Sequence, residues 1–241
     1  MKYTFFVYNF HLRASGSPDL FITQNHFSAK TITLTIREAY NAWADQYDTN
    51  QNRTRDLEGA ALRETLQNIP FKSCLEIGCG TGKNTVWLAQ KAAHVTAVDL
   101  SEEMLVRAKA KVSDAHVAFK KADILQNWSF IEHAYDLVTF SLVLEHIEYL
   151  APIFKKAADA LQPGGYLYLG EVHPFKQYTG SKARFDTSEG QQVVTCYNHH
   201  LSDFVQAGKE SNLTLVDVKE YFDENDRTTI PRIIVMMFRK T

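Results

Sequence analysis

The sequence predicts a single-domain α/β fold built on a mostly parallel sheet. Three observations point to it. From residue 35 onward, short apolar runs alternate with segments of helical period, the pattern of strand–helix–strand crossovers. The first apolar run, Cys74 to Ile77, breaks into a turn with Gly78, Gly80 and Gly82 at every second position. The next two runs close on carboxylates, Asp99 and Asp123, at the strand ends outside which parallel sheets hold ligands. At 241 residues the chain is long enough to bury a real core in one domain.

Residues 2–12, rich in Phe, Tyr and Val, read as an extra strand, and ASGSPD (14–19) reads as a linker. Residues 1–34 thus form a leader without an assigned role. Thr35 opens a helix, because Glu38 three positions on completes a capping box. Ile36, Tyr40, Trp43 and Tyr47 then recur at helical spacing. A second helix covers Arg55 to Ile69 with Leu57, Ala61, Leu66 and Ile69 on one face, and Pro70 stops it. After the glycine turn, Thr85, Trp87 and Leu88 lie in the first crossover helix.

The second strand is His94 to Val98, and Ser101 caps the next helix. His116 to Phe119 is the third strand. Asp136 to Ser141 is the fourth, and its unbroken apolar run suits burial on both faces. Ile147, Leu150, Phe154, Ala157 and Leu161 carry a helix that Pro163-Gly164-Gly165 ends. Tyr166 to Val172 is the fifth strand. Residues 173–198 read as a polar loop insertion. A helix near Leu201 to Ser211 and the strands LTLVDVKEYF and RIIVMMFRK close the chain as a hairpin.

The turn CLEIGCGTGKNT (74–85) admits three nucleotide-loop readings. A phosphate-cradling P-loop fails twice, because position 77 is Ile and position 84 is Asn. A dinucleotide fingerprint on 78, 80 and 83 places Lys83 where the third glycine belongs. What remains is Glu76, Gly78, Gly80 and Gly82 as E-x-G-x-G-x-G. This resembles motif I of the class I S-adenosylmethionine (SAM)-dependent methyltransferases. AYNAWADQYDTN (39–50) and LQPGGYLYL (161–169) resemble the same family at the expected distances. In style the chain is similar to the ubiquinone/menaquinone-biosynthesis-like small-molecule members, over roughly residues 36–241.

The resemblance implies a Rossmann-like sheet of seven strands in the order 3-2-1-4-5-7-6, the last antiparallel, flanked by helices. It implies an N-terminal helical lid over 35–70, with Tyr40 and Tyr47 as substrate-facing aromatics. Its cofactor is SAM, leaving as S-adenosyl-L-homocysteine (SAH). Glu76, Gly78, Gly80, Gly82 and Ser141 would line the cofactor site, and Asp123 and Ile124 would hold the adenine. Asp99, about 20 residues past the glycines, can accept from both vicinal ribose hydroxyls. Leu100 and Met104 offer apolar cover.

Methyl transfer from a sulfonium is an in-line displacement, so the protein must align the acceptor and exclude water. A base is needed only where the acceptor loses a proton. Candidates after the fourth and fifth strands are Glu145, His146, Glu171 and His173, joined by His199 at the start of the last helix. His146, His173 and His199 are the candidate catalytic residues. Arg184 and Tyr197 are candidate acceptor contacts, Arg184 for a carboxylate or phosphate. No H-E-x-x-H-like pair marks a metal site.

The net charge is −2, with 26 basic and 28 acidic residues and no long basic run, which argues against nucleic acid. The segment after the fourth strand, SLVLEH, also lacks the Asn/Asp-Pro-Pro-aromatic and Pro-Cys motifs of DNA methylases. Three cysteines without ligand spacing read as reduced thiols of a cytoplasmic protein, and no apolar run is long enough to span a bilayer. The expected activity is methylation of an O or N atom of a small molecule. The alternatives are a catalytically silent SAM-binding partner subunit, a C-methyltransferase and an NAD-dependent oxidoreductase.

Overall fold

The computed structural model describes residues 34–49, 51–187 and 190–241. The strand expected at 2–12 and the linker at 14–19 lie outside the described residues.

Two helices lead, α1 (Ile36–Tyr47) and α2 (Arg53–Leu66). Thr35 caps α1 with the reciprocal bonds of a capping box to Glu38. Helix α2 begins before Arg55 because the Asn52 side chain accepts from the Arg55 N–H, at 3.0 Å. Then come β1 (Ser73–Ile77), α3 (Thr85–Lys91), β2 (His94–Asp99), α4 (Glu102–Lys111), β3 (Val117–Lys121) and β4 (Tyr135–Ser141). A 3₁₀ turn, Leu144–His146, separates β4 from α5 (Leu150–Ala160), so the helix expected from Ile147 starts three residues later.

Strand β5 (Leu161–Val172) begins before the Pro-Gly-Gly step rather than after it. Leu161 pairs with Tyr135, and the register then shifts so that Tyr166 pairs with Leu137. The Pro-Gly-Gly segment therefore works as an irregularity inside the strand. The stretch expected as loop is structured in part, with α6 (Pro174–Tyr178) and a hairpin of β6 (Arg184–Thr187) and β7 (Gly190–Val193). Helix α7 (Leu201–Glu210), β8 (Leu213–Tyr221) and β9 (Ile233–Lys240) complete the chain.

The main sheet has the order β3-β2-β1-β4-β5-β9-β8. Numbering only its own strands, that is 3-2-1-4-5-7-6, with β9 antiparallel to both neighbours. Period-2 alternation splits the core in two. Val138, Phe140, Leu167, Leu169 and Phe238 face α5 and α7. Leu137, Cys74, Tyr168 and Met237 face α2 and α3. This sandwich fixes the carboxyl ends of β1, β2 and β4 side by side, and the clefts open there.

Candidate active site

Strand β1 passes directly into the glycine turn. Gly78, Gly80 and Gly82 have φ of 71°, 53° and 81°. At Gly78 the need for glycine is double: the left-handed backbone disfavours any Cβ, and a Cβ would lie 2.3 Å from Val143 Cγ2. The turn is anchored on β2, because Gly78 and Cys79 donate their N–H groups to the Val98 carbonyl at 2.8 and 3.0 Å.

Asp99 ends β2 beside this turn. Its Oδ2 accepts from Gly80 N–H and its Oδ1 from Ser101 N–H, both at 2.8 Å. Burial pushes the carboxyl up, and these backbone donors pull it back down. Each oxygen keeps a lone pair for one further donor. Asp123, after β3, accepts from Leu125 N–H at 2.9 Å. The Lys156 ammonium pins that loop through the carbonyls of Ile124, Leu125 and Gln126.

These groups line one cavity of about 760 Å³. On its wall are Gly78, Gly80, Asp99, Leu100, Asp123, Ile124 and Ser141, together with Tyr40, Tyr47 and His146. A deeper crevice of about 390 Å³ shares Tyr47, Gly78, Gly80, Ser141 and Leu142 with it and adds Glu76 and Glu58. Glu76 accepts from Thr85 Oγ1 at 2.5 Å, and burial raises it to about 8. Glu58 accepts from Tyr168 and Asn84, at 3.1 and 3.0 Å, and burial raises it too. The carboxylate set suits a ligand with hydroxyl, amine and ammonium donors.

Helix α1 closes the other side. The Tyr40 hydroxyl lies 2.7 Å from His146 Nε2, and His146 Nδ1 lies 2.8 Å from the Thr195 carbonyl. A carbonyl only accepts, so Nδ1 carries the hydrogen and Nε2 takes the Tyr40 proton donation. Burial pushes the Tyr40 hydroxyl well up, so it stays protonated. Tyr47 rises to about 12 by burial, with the Arg55 guanidinium 3.9 Å from its ring centre. Glu145, His146 and Cys196 bring ligand-type atoms within 4.8 Å of one another. Both imidazole nitrogens are already committed, and burial holds the thiol up at about 12.

A second cavity of about 760 Å³ adjoins the first and shares Tyr40, Tyr47 and Leu142 with it. It adds Trp43, Glu145 and four cations: Arg55, Lys182, Arg184 and Arg232. Leu142, in the shared wall, has φ of 57° and donates to the Gly170 carbonyl at 2.8 Å. A bulky residue held left-handed between two cavities is a strained position of the kind that clusters at working sites. Nothing local in SLVLEH announces it.

The structure disperses the other expected residues. Gly82 packs against α4, with Ala108 3.1 Å from where its Cβ would stand. Met104 is fully buried on α4 and lines no described cavity, so it gives no cover at the rim. His173 does not face the cleft. It is fully buried, its Nδ1 accepts from Phe175 N–H at 3.1 Å, and its Nε2 meets Glu220 at 3.0 Å. Burial lowers it, against the pull of Glu220. His199 also turns away. Its Nε2 bridges the carbonyls of Leu144 and Ile147, at 3.1 and 2.8 Å, and so pins the 3₁₀ turn. Tyr197 serves that turn through its backbone N–H to the Glu145 carbonyl, at 2.7 Å. Arg184 reaches the second cavity only. Glu58 and Arg55 join the site unforeseen, since a charged residue within a helix carries no sign of what its face will meet.

Residues 75–169 match the family described as a methyltransferase domain. An uncharacterized methyltransferase of Emericella nidulans is 26% identical over 221 residues, 74% of this chain and 76% of that protein. A ubiquinone biosynthesis O-methyltransferase of Hydrogenovibrio crunogenus is 32% identical over 144 residues, 58% of this chain. The chain spans only 59% of that relative's length. Among solved structures, an N-methyltransferase from Bradyrhizobium japonicum in complex with SAH superposes with a TM-score of 0.62 at 20% identity. That likeness covers 84% of this chain and 98% of that one, and it speaks for the fold.

Proposed function

We propose that this chain is a class I SAM-dependent methyltransferase that methylates an O or N atom of a small-molecule acceptor, a reading supported by the methyltransferase-domain match over residues 75–169 and by its methyltransferase relatives. The observation that carries the reading is the junction of two cavities at Tyr40, Tyr47 and Leu142. One cavity has the carboxylate set that suits SAM, and the other is open for an acceptor.

The site fits the cofactor by the chemistry of its donors and acceptors. Asp99 would take the two ribose hydroxyls, Asp123 and Ile124 the adenine, and the Glu76 crevice the methionine ammonium. Bound there, SAM supplies an electrophilic methyl on a cationic sulfur.

The acceptor's proton has one evident route. His146 Nε2 is occupied by the Tyr40 hydroxyl, so it does not meet the acceptor directly. The acceptor gives its proton to the Tyr40 oxygen while Tyr40 gives its own to Nε2. The Glu145 carboxyl, 4.0 Å from Nε2, faces the imidazolium that results. Tyr40 is then the catalytic contact and His146 the proton store. O-methylation is the function of one relative, and the buried Tyr–His pair supports an acceptor that must lose a proton. The encounter is assigned to the cytoplasm, where thiols such as Cys74 and Cys79 stay reduced.

The test is transfer of tritium from [methyl-³H]SAM to a panel of phenols and primary amines, with products separated by chromatography. Labelled product from at least one acceptor class is expected. SAH binding with no transfer to any of them would favour the silent-partner alternative.

A further inference from the structure

We propose that the second cavity selects acceptors with a flat apolar body and an oxyanion group, a carboxylate or a phosphate. This rests on the methyltransferase reading, since it makes that cavity the acceptor half of the site. The shared wall of Tyr40, Tyr47 and Leu142 sets the inner end. An acceptor atom at that end meets the cofactor cleft. Trp43 and Tyr47 are in edge contact at 5.0 Å, and Tyr40 stacks on Trp43 at 5.8 Å, so the inner wall is aromatic.

The outer end is cationic, and the imbalance is local. The whole chain carries two more acids than bases, yet this cavity has four cations against one acid, Glu145. Arg232 is already forked onto Asp223 with two contacts of 2.5 Å. Arg55 donates to the Tyr47 carbonyl and covers the Tyr47 ring. Both are fixed walls. Lys182 and Arg184 are exposed and form no ion pair with another described residue. Glu145 lines the same cavity but is buried beside His146, 4.0 Å from Nε2, and burial favours its neutral form. An acceptor lying along the aromatic wall therefore extends its far end toward an ammonium and a guanidinium.

The experiment is calorimetric titration of SAH-saturated full-length protein with 4-hydroxybenzoate, phenyl phosphate and the neutral 4-hydroxybenzyl alcohol. At least one anion is expected to bind about tenfold or more tightly than the alcohol. The stronger of the two identifies carboxylate or phosphate as the recognised group. A Lys182→Ala/Arg184→Ala double variant should lose that preference while SAH affinity stays unchanged. Both changes lie at exposed positions, so folding is not at stake. Equal affinity for the alcohol and the anions, or no ternary binding of any probe with SAH bound, overturns the proposal. Failure of SAH itself to bind sinks the methyltransferase reading, and the acceptor assignment falls with it.

Discussion

Asp99, proposed to take the ribose hydroxyls, is held by the backbone around it. Two backbone N–H groups hold its oxygens in place and leave a lone pair on each. Asp99→Ala is expected to weaken SAH binding by about 1–3 kcal/mol, the usual cost of losing a charged acceptor. Calorimetry checks it, with circular dichroism confirming the fold. Tyr40→Phe should leave SAH affinity near wild type and lower kcat by about 10²-fold, the low end of general acid–base effects. His146→Gln should lower kcat to about the level of Tyr40→Phe with SAH affinity near wild type, because it removes the Nε2 that takes the Tyr40 proton. Wild-type turnover in that variant would remove His146 from the proton path. Residue order foretold the position of Asp99 beside the glycine turn, since that depends only on a strand end and the turn next to it. It did not foretell His173 or His199. Their partners, Glu220 and the carbonyls of Leu144 and Ile147, lie 47, 55 and 52 positions away, and no local pattern encodes such pairings.

At the scale of elements, the strands were legible because period and burial agree. Strand β9 is apolar almost throughout and is buried along IIVMMF, as an interior strand must be. Strand β8 alternates and lies at the sheet edge. The β6–β7 hairpin was not legible. It forms a separate two-stranded sheet from the polar stretches RFDT (184–187) and GQQV (190–193), so no apolar alternation marks it. The turn after β1 is the element under most constraint. Gly78→Ala is expected to destabilise the protein by about 1–3 kcal/mol, combining a left-handed backbone with a clash on Val143. Urea denaturation measures this. An unchanged midpoint would show that the turn can relax away from β4.

At the scale of the whole molecule, the carboxyl ends of the strands gather buried acids at a cost. Burial raises Glu76 and Glu171 each to about 8. Glu171 accepts from the N–H groups of Val143 and Leu144 through one oxygen, while the other has no hydrogen-bond partner among the described residues. A carboxyl raised on folding binds more protons folded than unfolded between its two values, so stability falls as pH rises through that window. Between pH 6.5 and 8 the loss should be about 1–2 kcal/mol for each such group. Glu171→Gln, which keeps an oxygen for both N–H donors, should flatten that slope. A slope identical to wild type would show Glu171 already ionised in the fold.

The central claim is that the cavity over the glycine turn is built for an adenosyl ligand and not for a dinucleotide. Calorimetric titration of the purified chain with SAM, SAH and NAD tests it most directly. Micromolar binding of SAM and SAH, with no heat from NAD, is the predicted result. NAD binding with no adenosyl-sulfur binding by the folded protein would contradict the account.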